Sequence, residues 1–275
     1  SKAGISQAEA EWLRYGVTVQ PYFFNLYDKD SFKEVAESVK QASPDGILVA
    51  PIFYHETLPY FQQFREKGIP FVLFNTNIPE VHALSFIGQD LYQSGKLGAE
   101  LMYMAQNGEA GLLAVLHVNE DLDNSVHLAE KERGFRDYFE GMKDSGFEIM
   151  TVNVSDTATN SAESQLDSLL SNPAIKGIFV STSKGTYLVA SFLEKHNKIQ
   201  IKLVGYDMLQ ENIRYMKKGV VDFLINQNPK RQAFLGINHL VAHLILKKDA
   251  PKHDLLPLEI ISKENLESYL TSEIH

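Results

Sequence analysis

Residues 84–118 read LSFIGQDLYQSGKLGAELMYMAQNGEAGLLAVLHV, and the reading of this stretch sets the fold class. It opens on one apolar run, Leu84–Ile87, and closes on another, Leu112–Val118, each short and nearly continuous, as strands covered on both faces should be. Between them Leu91, Gly95, Gly98, Met102 and Ala105 recur at helical spacing, with Asp90 placed as the N-cap. The two glycines would let this helix lie close to the sheet. Strand, helix and strand in succession is the repeating unit of a parallel sheet joined by crossover helices.

The same rhythm extends in both directions. Strands are expected at Val17–Phe24, Gly46–Pro51, Pro70–Phe74, Glu148–Val154, Gly177–Thr182, Ile201–Tyr206 and Val220–Ile225, about ten in all. Helical stripes run through Phe135, Tyr138, Phe139 and Met142, and again through Phe234, Ile237, Val241 and Leu244; core packing accounts for both. A chain of 275 residues exceeds one ordinary domain, so the expectation is an α/β protein of two similar lobes, each a parallel sheet flanked by helices. Such sheets bind ligands at the C-terminal ends of their strands.

Hydrophobic residues make up 44% and charged residues 22%, which excludes a disordered or fibrous class. No run approaches the roughly 18 apolar residues of a membrane span. Cysteine is absent, which rules out disulfides and thiolate chemistry. A net charge of −9, with no basic run, helix-turn-helix or zinc-finger spacing, means that this segment alone should bind nucleic acid poorly. Nucleotide, hydrolase and zincin motifs are missing too. His239 and His243 stand four apart on a helix but are expected on a solvated face. Glu120, Asp121 and Asp123 lack the alternation of a calcium loop and read as an exposed loop. The expectation is binding without catalysis, cofactor or metal.

Polar residues recur just after buried strands: Asn75 and Asn77 after Phe74, Asp90 after Ile87, Thr182 after Val180, Asp207 after Tyr206 and Gln227 after Ile225. Converging on one cleft, they would suit a polyhydroxylated ligand, with Phe23, Phe24, Phe53 and Tyr54 offering ring faces. The same residue types also cap helices and form turns, so both readings stand.

Several runs, taken in order, resemble the LacI/GalR transcription regulators and the related periplasmic sugar-binding proteins. They are Pro44-Asp45-Gly46-Ile47-Leu48, Gly68-Ile69-Pro70-Phe71-Val72, Ile87-Gly88-Gln89-Asp90 with Ser94-Gly95, Glu132-Arg133-Gly134-Phe135, Val204-Gly205-Tyr206-Asp207 and Asn226-Gln227-Asn228-Pro229. The closing Pro257–Ile261 with Lys263-Glu264-Asn265 resembles the regulators more. The resemblance implies a periplasmic-binding-protein type I fold with a ligand cleft between lobes, 1–118 plus 228–250 forming one and 119–227 plus 251–275 the other. It implies a carbohydrate-like effector, a cytoplasmic homodimer, and operator DNA held by an N-terminal headpiece lying upstream of this sequence. A core strand is likewise expected upstream. The alternative is a periplasmic sugar receptor of a transporter. Asp207 and Gln227 match family ligand positions. Lys131 stands where the family usually has arginine, which removes the planar fork. Thr182-Ser183 replaces Asn-Asp, and Asn75-Thr76 replaces Asp-Arg.

Overall fold

The computed structural model describes residues 2–119, 124–142, 146–155 and 161–272. In chain order it forms α1 (Lys2–Trp12), α2 (Lys29–Ala42), β1 (Ile47–Val49), α3 (Tyr54–Glu66), β2 (Phe71–Phe74), β3 (Ser85–Gly88), α4 (Leu91–Ala105) and β4 (Leu112–Val118). There follow α5 (Val126–Glu140), β5 (Glu148–Val154), α6 (Ala162–Leu170), β6 (Ile175–Val180), α7 (Ser183–Lys195), β7 (Lys202–Tyr206) and α8 (Gln210–Lys217). The chain ends with β8 (Phe223–Asn226), α9 (Pro229–Leu244), β9 (His253–Leu255), β10 (Glu259–Ile261) and α10 (Leu266–Ser272).

Two compact units result. One holds the chain up to Gln89, a short return ending at His127, and Gln227–Pro257. Its parallel sheet has the order β1-β2-β3-β9. Successive strand residues point to opposite faces: Phe71 and Leu73 join an aromatic core with Phe32, Phe61 and Phe64, while Val72 packs with Ile87 and Leu240. The other unit has the sheet order β10-β8-β7-β6-β4-β5, parallel throughout except for β10. On β4, Leu113 and Val115 meet Met102, Phe135 and Phe179, whereas Ala114, Leu116 and Val118 meet Leu166, Val189 and Leu193. Burial on both faces is why this strand reads as one apolar run.

The expected two-lobed α/β architecture is present, with two corrections. β3 and β4, the strands that bracket the opening stretch, belong to different sheets, so the first boundary falls at Gln89–Asp90 rather than near residue 118. The helix between them packs on β6 and β7, and pattern alone does not say which neighbouring strand a crossover helix serves. The later boundaries likewise fall at Asn226–Gln227 and Pro257–Leu258. Second, Val17–Phe24 forms no strand. Val17 and Val19 pack beside Ala8, Ile237 and Val241, and the Val19 N–H donates to Glu9 Oε1 at 3.0 Å. Strand composition reports fit to a half-buried surface, and without a ladder partner it produces only extended chain. The strand tally is completed by β9 and β10, which periodicity did not single out.

Candidate functional site

In the second unit the strand ends gather a polar group. β7 stops at Tyr206, and Asp207 turns into the left-handed region at φ 61°, a conformation that Asp tolerates better than most residues. The turn lets its N–H donate to Ile225 O at 3.1 Å. The Asp207 carboxylate, in a residue only 8% exposed, accepts from Ser183 Oγ at 2.8 Å. Thr182 ends the neighbouring turn as N-cap of α7, its Oγ1 accepting from the Gly185 N–H.

Lys131 comes to the same place from α5. It is 3% exposed, its Nζ donates to Ser181 O at 3.1 Å, and it stands 3.6 Å from the centre of the Tyr206 ring. A ring face and a carbonyl oxygen both attract a cation. Tyr206 is anchored by Ser94, 2.8 Å from its hydroxyl; burial raises its phenol above the ordinary range, the Ser94 bond opposing.

Beneath this group lies a network invisible to motif searches. His117 Nδ1 is 2.9 Å from Ser181 Oγ, and its Nε2 is 2.7 Å from Glu132 Oε2. Glu132 also takes Arg136 Nε at 2.8 Å and the Thr151 hydroxyl. Burial by itself would raise the Glu132 carboxyl, but the bonds from His117, Thr151 and Arg136 outweigh it and hold the group at about 2. An ionised carboxylate accepts only, so His117 Nε2 is the donor to Glu132. Since the folded value lies below the ordinary 4.5, this stabilisation is complete above pH 4.5 and is lost as pH falls toward 2. Glu132→Gln should therefore unfold with a flatter acid limb and be less stable at pH 7 by about 2 kcal/mol, after allowance for solvent access. Urea titrations at a series of pH values check this; parallel acid limbs would remove Glu132 from the account.

In the first unit Asn75 repeats the Asp207 geometry. It follows β2 at φ 66°, and its N–H reaches Ile87 O at 3.0 Å and Gln232 Oε1 at 2.8 Å. Gln232 Nε2 in turn donates to Gln227 O at 2.6 Å, so the structure brings Asn75 and Gln227 to one buried amide. Asn77 is half-buried beside Thr76, whose Oγ1 is buried with no hydrogen-bond partner among the described residues.

Other positions behave differently. Asp90 caps α4, its carboxylate taken by the Gln93 N–H. Phe53 is core, ringed by Phe24 and Phe32, so its ring face is unavailable. Phe23 is 63% exposed, with Lys2 Nζ 4.6 Å from its centre. His239 is not on a solvated face: it lies 3.0 Å from Ser85 Oγ and 3.2 Å from Asp254 Oδ2. Glu120, Asp121 and Asp123 lie outside the described residues. Among the described residues no group of three His, Asp or Glu could hold a metal, and no helix is long and apolar enough to cross a membrane.

Residues 2–248 match the family described as periplasmic binding protein domain. Among proteins of related sequence, the xylose/arabinose-binding protein XylF of Sulfolobus acidocaldarius is 26% identical over 85% of this chain and 60% of its own length. The chain thus spans less than two thirds of that relative. A D-ribose/D-allose-binding protein of Pseudomonas aeruginosa is 21% identical over 82% of this chain and 71% of its own. A solved structure assigned to a LacI transcriptional regulator from Bacteroides fragilis superposes with a TM-score of 0.91 at 27% identity, covering 98% of this chain and 92% of that one. A solute-binding protein from Burkholderia graminis in complex with D-arabinose shares the fold, with a TM-score of 0.85 at 21% identity over 98% and 91% of the chains.

Proposed function

The chain belongs to the family of periplasmic binding protein domains, and from that premise we propose that it is the effector domain of a LacI-type transcription regulator and binds a small carbohydrate-like ligand. The observation that carries the ligand class is the recurrence, in both units, of a left-handed polar residue at a strand end, Asn75 and Asp207, with neutral amides and hydroxyls around it. Hydroxyl-rich molecules are met by such mixed donors and acceptors. The regulator reading is supported by the match to the Bacteroides fragilis structure along almost all of both chains and by the regulator-like run Pro257–Ile261. On this reading the protein is a cytoplasmic homodimer. Operator contacts come from a headpiece outside this sequence, since a net charge of −9 repels phosphate. Ligand and operator would be coupled by about 1–3 kcal/mol.

The identity with XylF favours a second reading, a sugar receptor of a transporter. It uses the same residues, in a periplasmic monomer with no DNA partner.

A thermal-shift screen against monosaccharides, disaccharides, uronic acids and nucleosides tests the ligand class. One sugar class should give a saturable rise, worth about 2.7 kcal/mol at a hundredfold excess over Kd. Cooperative melting with no shift from any compound would remove the carbohydrate assignment. Operator binding by the full-length protein, measured with and without that sugar, separates the readings: a sugar-dependent change is expected of the regulator, and no DNA binding of the receptor.

A further inference from the structure

The polar strand ends of both units are fastened by one kind of device, built from residues that the ligand set leaves out. In the second unit Asn212 on α8 is fully buried, and its Nδ2 lies 3.0 Å from the carbonyl oxygens of Ser183, Tyr206 and Asp207. One amide thus ties the turn after β6 to the turn after β7, the turns that carry Ser183 and Asp207. In the first unit Gln232 on α9, equally buried, accepts the Asn75 N–H and donates to Gln227 O. It ties the turn after β2 to the segment that opens α9.

Packing alone does not explain these amides. A buried amide is costly unless fully paired, and Asn212 Oδ1 has no hydrogen-bond partner among the described residues. What Asn212 supplies is a fixed place for three carbonyls around a residue in the left-handed region. Gln232 holds Asn75 by its other end, Oε1 accepting the Asn75 N–H while Nε2 donates to one carbonyl, that of Gln227, so each unit fastens its left-handed residue with a buried amide.

We propose that Asn212 and Gln232 are positioning residues for ligand recognition: neither touches the ligand, Asn212 sets the backbone that presents Asp207 and Ser183 in the second unit, and Gln232 sets the backbone that presents Asn75 in the first. This rests on the carbohydrate-binding reading.

Asn212→Asp and Gln232→Glu keep the shape and exchange the donor NH2 for oxygen. Ionised, the new oxygen faces the Ser183, Tyr206 and Asp207 carbonyls in the first variant and the Gln227 carbonyl in the second and releases those bonds, while the Asn75 N–H keeps its acceptor oxygen; protonated, it recovers a donor. The panel sugar that binds best is titrated into each variant by calorimetry from pH 7.5 down to 5.5. The ratio of variant to wild-type Kd is read, which cancels groups common to both proteins, including Asp207 and Lys131. We expect a ratio of about ten or more at pH 7.5, shrinking at least about threefold on acidification. Asn212→Leu, with no donor, should lose affinity with a ratio independent of pH. Wild-type affinity in folded Asn212→Asp and Asn212→Leu, or a flat ratio for the acidic variants, overturns the proposal. If the wild type binds no panel sugar, the carbohydrate reading fails by itself. Positioning is then decided by amide exchange at Asp207 in Asn212→Asp relative to wild type: acceleration at pH 7.5 that reverses at 5.5 upholds it, and unchanged exchange overturns it.

Discussion

Gly95→Ala should lower the melting temperature of the second unit by roughly 6–12 °C, the equivalent of at least about 3 kcal/mol. Helices α4 and α5 cross with their backbones in contact. A Cβ on Gly95 would stand 1.9 Å from Lys131 O and 3.0 Å from the Phe135 backbone nitrogen. From the other side, a Cβ on Gly134 would stand 2.0 Å from Tyr92 O. Side chains can swing away from such a clash, but carbonyls inside a helix cannot, so the helices must separate. Separation opens a gap beside Phe135 and Met102, both buried in the core of this unit, and adds a cavity cost. Alanine gains about 1 kcal/mol in helix propensity over glycine, too little to offset this. Gly98→Ala is the internal control, because its Cβ would meet only the edge of the Phe179 ring, at 2.4 Å. A smaller loss is expected there. Gly95→Ala and Gly134→Ala combined should cost less than their sum, since one displacement of α5 relieves both clashes. Differential scanning calorimetry of the four variants and the wild type decides the matter, and a Gly95→Ala melting temperature within about 2 °C of wild type would contradict a backbone contact.

This crossing also shows how far the sequence was legible. Spacing placed Gly95 and Gly98 on the inner side of α4, and the expected approach to the sheet holds for Gly98, which faces Phe179 on β6. Gly95 serves a second helix instead, and nothing in a helical period names the partner. Most strands were legible because parallel strands buried on both faces read as continuous apolar runs; β9 and β10 were not, since they are short and lie at sheet edges. Val17–Phe24 failed for the converse reason, having the residues of a strand without a neighbour. In the candidate site, a polar residue following an apolar run was enough to single out Asn75 and Asp207. The supporting residues were missed because they sit inside amphipathic helices. Yet a signal was present: Asn212 precedes buried Met216 by four positions, Gln232 precedes Gly236 by four, and Glu132 precedes Phe135 by three, so each interrupts an apolar stripe with a group that must be paired. Phe53 was misread because an aromatic at a strand end can face a ligand or a core, and composition does not distinguish them.

Asp207→Asn should weaken binding of the panel sugar about 10-fold to 100-fold while leaving the melting temperature within about 2 °C of wild type. The carboxylate is placed by three constraints: the end of β7, the left-handed turn held through the N–H to Ile225 O, and the bond from Ser183 Oγ. Asparagine keeps the turn, which it tolerates as well as aspartate does, and keeps one oxygen for Ser183. It gives up the charge and an acceptor. Charge-assisted bonds to hydroxyls contribute about 1.5–3 kcal/mol each, and their loss sets the expected range. Asp207→Ala should lose at least as much affinity and should also be less stable by about 1–2 kcal/mol, because an alanine with positive φ is strained. The pair of variants separates recognition from folding: affinity falls in both, stability only in the second. Isothermal calorimetry on each, with thermal melts of the free proteins, provides the readout. If Asp207→Asn bound the sugar as wild type does, Asp207 would be a turn residue alone, and recognition in this unit would have to rest on Lys131, Thr182 and Ser183.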